Sequence, residues 1–377
     1  MKICIITNSH PTNDVRLYYK LGISFAKQHE VYLISTEGVV NNTHNPYQLV
    51  VDADSNWNAI VHLQHKVQEL KPDVLICVEP LTLLVGMRLK KRMHLKVIFD
   101  VHEFYADAFG ERFPFLLRLP VKYAYLAVLK FMQKNADALF SVNSEIHKQL
   151  LGKDINKRGT VIPNYPVKHV WDYACDTPGR LFQVCEMNFD LIYIGGLTKN
   201  RGIFKILKIA SILKLEFPRL KILILGKFFN PALEEQFHSS INDFNLNAII
   251  FYQEWIPAEK IGLLLRRSRF GLWLFNPLSK RFRLSTPLKV LEYMAAGLPV
   301  VTIKTPLMKA LVDYNGLGIC SSYKAKSLAE ATAKLLRMKP AEYKEMSDRC
   351  LKITENRFNW EALEPQLFGV LERITKK

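Results

Sequence analysis

The chain has 377 residues, 49% of them hydrophobic, enough apolar material for two packed domains and too much for a mainly disordered protein. Its formal net charge of +17 points to anionic partners: phosphorylated small molecules, an anionic membrane surface or nucleic acid. The six cysteines form no CxxC pair, which argues against a disulfide or zinc framework and for buried, reduced thiols in a cytoplasmic protein. No run reaches the roughly 18 uninterrupted apolar residues of a spanning helix, and the opening apolar run is too short for a signal peptide.

Residues 2–7 read as a buried strand, 10–14 as a loop, 15–28 as a helix and 31–34 as the next strand. This order opens a doubly wound parallel sheet, whose ligands sit beyond the carboxyl ends of the strands. The loop carrying His10, Asp14 and Arg16 is therefore placed for binding, although a capping aspartate beside a surface arginine would look the same. It lacks GxGxxG, so a dehydrogenase-type dinucleotide site is not indicated. A helix over 54–70, a strand over 73–78, a helix over 81–91 and a strand over 96–101 follow, and the last delivers His102 and Glu103 to the same edge. Taken alone, such a histidine is more often a structural hydrogen-bonder.

Residues 104–134 interleave aromatic and aliphatic side chains with Arg112, Arg118, Lys122, Lys130 and Lys134. That mixture suits the interface of a bilayer, and it also suits a long crossover helix packed on the sheet. We expect both: a packed helix from about Pro120, and a loop from Phe113 through Phe115 to Arg118 that dips toward an anionic membrane surface. A strand over 136–142, a helix opening at Ser144 and a short strand near 160–163 complete the first half, and 167–187, which includes Pro178-Gly179, reads as the linker.

The second half restarts the pattern. A strand over 189–194 runs into Gly195-Gly196, then Lys199, Arg201 and a helix. Glycines after a strand, followed by cations at a helix start, make a phosphate cradle. Further strands are expected over 220–226, 249–252 and 270–275, and Glu254-Trp255-Ile256-Pro257 follows the second of these. Lys280, Arg281 and Arg283 add positive potential before the stretch from Ser285 to Val301. There Thr286 can cap a helix that Pro287 begins, with Leu288, Leu291 and Ala295 facing inward, and Gly297 ends it before a β-branched strand. Lys289 and Glu292 lie three residues apart and so side by side. A lysine opposes the helix dipole there unless the free N–H groups hold an anion, and a carboxylate one turn on can accept hydroxyl hydrogen bonds. A phosphate with a diol means a nucleotide; a solvated Lys–Glu pair is the plain alternative. Helices over 327–336 and 341–353 and a final one from Phe358-Asn359-Trp360 close the chain.

The stretch Thr286-Pro-Leu-Lys-Val-Leu-Glu-Tyr-Met-Ala-Ala-Gly-Leu-Pro-Val-Val resembles the donor-site signature of retaining nucleotide-sugar glycosyltransferases of family 4 (glycosyl transferases group 1). Their GT-B fold has two Rossmann-like doubly wound parallel-sheet domains facing a central cleft. The resemblance extends to the His-Pro…Asp-Val-Arg loop, Asp100-Val101-His102-Glu103, the glycine loop and the terminal tryptophan helix. It implies an acceptor-binding domain over 1–166, a linker over 167–187, a donor-binding domain over 188–356, and a terminal helix over 357–377 that crosses back to the first domain. It implies that Glu292 holds the ribose, that Gly195, Gly196, Lys199, Arg201 and Lys289 meet the diphosphate, and that the backbone at Trp255 and Ile256 meets the base. His102 would orient the sugar, with Arg201 and Lys289 stabilising the leaving group, and His10, Asp14, Arg16 and Glu103 would face the acceptor. Many members have an arginine where this chain has Gly196, a histidine at Val78 and a second glutamate at Leu284.

The expected activity is transfer, with retention, of a sugar from a nucleoside-diphosphate sugar to a lipid-linked or surface-polysaccharide acceptor. No metal site and no cofactor are expected, since cations supply the charge and the cleft elements show no DxD-like pair. The expected location is cytoplasmic and peripheral at the inner face of the membrane, with no nucleic acid as partner. Two other readings fit parts of the sequence: a GT-B nucleotide-sugar epimerase, and a non-enzymatic basic protein that binds membrane or nucleic acid, which would leave both phosphate loops unexplained.

Overall fold

The computed structural model describes residues 1–152, 158–167, 184, 186–279, 282–283 and 287–376. It divides into two compact units, Met1–Asn164 with Trp360–Lys377, and Tyr165–Asn359. The linker expected over 167–187 falls almost wholly outside the described residues, as do Cys175, Cys185, Lys280, Arg281, Leu284 and the cap expected at Thr286.

The first unit is built on a seven-stranded sheet in the order β3-β2-β1-β4-β5-β6-β7. Its strands are β1 (Lys2–Ile6), β2 (Glu30–Ser35), β3 (Tyr47–Val50), β4 (Val74–Cys77), β5 (Lys96–Val101), β6 (Ala138–Ser141) and β7 (Gly159–Val161). Every pairing is parallel, and the central strands are mostly apolar because helices cover both faces, with Asp100 of β5 the buried exception. The order reverses between β1 and β4, so a crevice opens at their carboxyl ends. The first helix is π-wound over Val15–Gly22 and continues over Ile23–Ala26. On it docks the terminal helix, Glu364–Thr375: Trp360 is fully buried, its Nε1–H donates to Ser24 Oγ at 2.8 Å, and Ser24 in turn donates to Glu364 at 2.8 Å.

The second unit repeats the plan with six strands ordered β10-β9-β8-β11-β12-β13. They are β8 (Phe189–Ile194), β9 (Ile222–Leu225), β10 (Ile250–Gln253), β11 (Ser268–Trp273), β12 (Val300–Ile303) and β13 (Gly318–Ser321), and the reversal lies between β8 and β11. The short edge strands β3 and β13, and the helix Pro231–Asp243, had no counterpart in the sequence reading.

Three expectations change. The segment over 113–118 is not a loop before the crossover helix: the helix runs over Phe115–Met132, passing through Pro120. A proline there removes the hydrogen bond to the Leu116 carbonyl, but Leu116 is 84% exposed, so water can take that acceptor. The helix at the donor signature spans Leu288–Ala295 with Pro287 as its N-cap residue, not its first helical one. It buries Val290, Tyr293 and Met294 as well as Leu291, because it packs between the sheet and the helix Pro340–Arg357. Gly297 ends it with φ at +76°, where an added Cβ would also strike Ser347 Oγ at 2.8 Å. Cys4, Cys77, Cys320 and Cys350 are free thiols; burial pushes Cys4, Cys320 and Cys350 up to about 12 and Cys77 higher still.

Candidate active site

Both candidate sites lie at the carboxyl edge of a sheet, beside its topological reversal. In the second unit, β8 ends in Gly195-Gly196, and Lys199–Arg201 form a 3₁₀ turn capped by Thr198, whose Oγ1 accepts from the Arg201 backbone N–H at 3.3 Å. Gly202, at φ +72°, reverses the chain into the helix Ile203–Leu213. Arg201 folds back over the glycines: a Cβ added at Gly196 would lie 3.2 Å from its guanidinium and 2.9 Å from the Phe229 ring. The guanidinium also rests 5.6 Å from the centre of the Phe282 ring. The charge is thus held over the turn by aromatic faces, and among the described residues neither Arg201 nor Lys199 forms an ion pair.

Tyr293 anchors the other side. Its buried hydroxyl accepts from Ile194 N–H at 2.8 Å and donates to the Leu272 carbonyl at 3.3 Å, tying the Leu288–Ala295 helix to β8 and β11 just before the glycine turn. Gly271 has no side chain because the Tyr293 ring lies where a Cβ would go, 2.3 Å away. Glu292, the neighbour of Tyr293, is buried, and its Oε2 accepts from Lys289 Nζ at 3.1 Å. Lys289 Nζ also lies 5.2 Å above the half-exposed Trp255 ring. The structure therefore brings Trp255, Lys289 and Glu292 together and sets Arg201 over Gly195-Gly196. Ile256 is buried, so it offers a ligand only its backbone. The arrangement is a cationic, aromatic-walled cradle with one carboxylate.

In the first unit three adjacent strand ends converge: His10 after β1, Glu79 after β4 and His102 after β5. The Nε2 atoms of His10 and His102 are 3.0 Å apart. His10 Nδ1 faces Asp14 at 3.5 Å and its Nε2 lies 3.6 Å from Glu79 Oε1. Burial lowers the His10 pKa, but the hydrogen bond and charge of Asp14, with Glu79 and Glu103, leave it raised overall. Burial raises Glu79, while hydrogen bonds from Thr7 Oγ1 at 2.6 Å and Asn8 N–H at 3.2 Å oppose it. Glu103 is exposed beside them.

Arg16 sits differently from the sequence reading. It is 4% exposed and pairs in bidentate fashion with Asp100, fully buried, through Nε at 2.8 Å and an Nη at 2.6 Å; its other Nη donates to the Ile162 carbonyl at 3.3 Å. Burial would raise the Asp100 carboxyl, but the Arg16 guanidinium overrides it and holds the group well below the usual carboxylate range. Arg16 thus joins the first helix to β5 and to the residue after β7, while His10 and Asp14 lie in the loop after β1 and Glu103 follows β5. Glu79 was not singled out in the sequence, where it reads only as a strand end before Pro80.

Of the expected membrane residues, Phe115 is 80% exposed, Phe113 is half-buried against Phe109 with ring centres 5.5 Å apart, and Arg118 Nε donates to the Phe113 carbonyl at 3.1 Å. The helix Phe115–Met132 buries Leu126, Leu129 and Met132 and leaves Leu116, Leu119, Tyr123, Val128 and Phe131 in solvent. No helix among the described residues is long and apolar enough to cross a membrane.

Two family models match the chain: "Glycosyltransferase Family 4" over residues 15–165 and "Glycosyl transferases group 1" over residues 183–356. Among curated proteins it is 28% identical over 153 residues to the chitobiosyldiphosphodolichol beta-mannosyltransferase of Kluyveromyces lactis, a match covering 40% of this chain and 32% of that one. It is 32% identical over 108 residues to the UDP-glycosyltransferase TURAN of Arabidopsis thaliana, covering 28% and 22%. These matches span about a third or less of the curated relatives' own length. Among solved structures, sucrose-phosphate synthase from Thermosynechococcus elongatus has a TM-score of 0.74 at 15% identity, covering 100% of this chain and 99% of that one. Anabaena HepE in complex with UDP and glucose has a TM-score of 0.71 at 14% identity, covering 99% and 100%. With two parallel-sheet domains and the two family models between them spanning most of its length, the chain belongs to glycosyltransferase family 4 and has the GT-B fold.

Proposed function

We propose that this chain moves a sugar, with retention and without a metal, from a nucleoside-diphosphate sugar to a lipid-linked or surface-polysaccharide acceptor. The single observation that carries the donor half is the cradle of the second unit. Arg201 over the Gly195-Gly196 turn, and Lys289 at a helix N-terminus, offer positive charge and backbone N–H groups to a diphosphate. Glu292, one turn on, offers a buried carboxylate to the ribose hydroxyls, and the Trp255–Ile256 stretch meets the base. As the sugar–phosphate bond breaks, Arg201 and Lys289 stabilise the negative charge that develops on the leaving diphosphate. HepE has been solved with UDP-glucose, which supports a nucleotide sugar as donor. The name of the yeast relatives supports a lipid-linked diphosphate sugar as acceptor. A screen of UDP-, GDP-, ADP- and dTDP-sugars by thermal shift tests the reading: one of them raises the wild-type melting temperature and loses that effect in Glu292→Ala. No shift with any of them ends it.

The acceptor half rests on the first unit, where His10, Asp14, Glu103 and His102 edge the reversal of the sheet. The helix Phe115–Met132 supports an anionic membrane as the place where the acceptor is met. Its outward face is apolar, and residues 111–134 carry five cations against the single acid Glu111. Flotation with vesicles of neutral and anionic phospholipid checks this. Leu116→Asp with Leu119→Asp abolishes binding to the anionic vesicles, and unaltered binding would dispose of the idea.

A further inference from the structure

The His10–His102 contact leaves open which ring donates, and the surrounding carboxylates decide it. The two Nε2 atoms, 3.0 Å apart, share one hydrogen. A charged His102 could donate and keep an N–H toward Asp100, but Arg16 already neutralises that carboxylate, and the bare Nε2 of His10 would still face Glu79 Oε1 at 3.6 Å. Suppose instead that a neutral His102 donated. The bare Nε2 of His10 would then face Glu79 Oε1 at 3.6 Å, and the bare Nδ1 of His102 would face Asp100 Oδ2 at 3.9 Å. Glu79 accepts hydrogen bonds on both oxygens, from Thr7 and Asn8, and Asp100 is held ionised by Arg16. Two lone pairs would thus be set against two carboxylates. If His10 donates, every imidazole N–H faces a carboxylate or the other ring: His10 Nδ1–H faces Asp14, and His102 Nδ1–H faces Asp100. The raised affinity of His10 for its second proton agrees with this order. Glu103 adds negative charge beside His10, which favours the charged form there. Tyr105 packs its ring edge-on against His102 at 5.9 Å and donates its hydroxyl to the Val78 carbonyl, so it does not compete.

We propose that His10 is a charged donor and His102 a neutral acceptor protonated on Nδ1, so that His102 meets its ligand as an acceptor for a sugar hydroxyl and not as a cation for a phosphate. The entering hydroxyl takes the place of His10 on His102 Nε2, and the released His10 N–H turns to Glu79 Oε1. His10, Glu79 and Asp100 are then positioning residues that fix the tautomer of His102. The hydroxyl as ligand rests on the transferase reading; the tautomer does not.

The test is long-range ¹H–¹⁵N correlation on protein labelled at its ten histidines, with assignments from His10→Gln and His102→Gln. The expected result is a His102 ring with a protonated Nδ1 and a bare Nε2, and a His10 ring that keeps its second proton to a higher pH than an exposed histidine does. His10 stays charged to a pH above about 6.5, the ordinary imidazole value. In His10→Phe, which removes the donor, His102 loses this fixed tautomer. His10→Gln, whose amide can donate, preserves it, and a merely structural contact would not separate the two variants. Inorganic phosphate leaves the His102 resonances unmoved. A His102 ring protonated on Nε2 in the wild type, or one that becomes charged on adding phosphate, overturns the proposal. Because no nucleotide enters the measurement, its failure is distinct from that of the donor screen.

Discussion

The two sheet edges solve the problem of concentrated charge in opposite ways. At the first, charges are paired inside the protein: Arg16 with Asp100, His10 with Asp14 and Glu79. At the second, Arg201 lies on the Phe282 ring and Lys289 between Trp255 and Glu292, and among the described residues Arg201 has no carboxylate partner. A buried pair that loses one member leaves an uncompensated charge, so the first edge is tied to stability. Cations held on aromatic faces lose little when removed unless an anion is present, so the second edge is tied to binding. One region is a folded electrostatic unit; the other is half of one, completed by its ligand.

The sharpest way to break this contrast is Asp100→Asn. It should lower stability by about 3–5 kcal/mol in urea unfolding, since it strands the Arg16 charge; a change near zero would mean that water reaches the pair. The same pair sets an acid limit. The Asp100 pKa is lowered on folding, so its stabilisation is complete above the ordinary carboxylate value and is lost as pH falls through the folded value. Acid titration of Asp100→Asn should therefore lack that part of the wild-type loss. Next in size, Arg201→Ala should weaken nucleoside-diphosphate binding by about 1.5–3 kcal/mol in calorimetry, the range of a charge-assisted hydrogen bond, with little change in unfolding. Trp255→Ala should act in the same assay through lost stacking, by about 1 kcal/mol. The smallest effect is expected for Lys199→Ala, which removes an exposed cation with no ion pair among the described residues: stability should hold within about 0.5 kcal/mol.

What the sequence made legible follows the same division. The apolar runs, the glycine turn and the Lys289–Glu292 spacing are local signals, and the structure places Lys289 and Glu292 3.1 Å apart and Arg201 over Gly195-Gly196. The first edge is made by long-range pairs. Arg16 and Asp100 are 84 residues apart and His10 and His102 are 92 apart, and nothing local distinguishes a guanidinium destined for burial from one offered to a ligand. Glu79 was overlooked for the same reason. The helix start at Phe115 was missed because Pro120 reads as a beginning, when an exposed carbonyl lets the helix run through it. The edge strands β3 and β13, four residues each, carry too little pattern to stand out from loops.

The donor cradle is tested most directly by titrating UDP, GDP, ADP and dTDP into wild type, Arg201→Ala, Glu292→Ala and Asp14→Asn by calorimetry. At least one nucleotide should bind the wild type and Asp14→Asn alike and bind the Arg201 and Glu292 variants more weakly. Binding unchanged in both of those variants, or no binding of any nucleotide to the wild type, would contradict it.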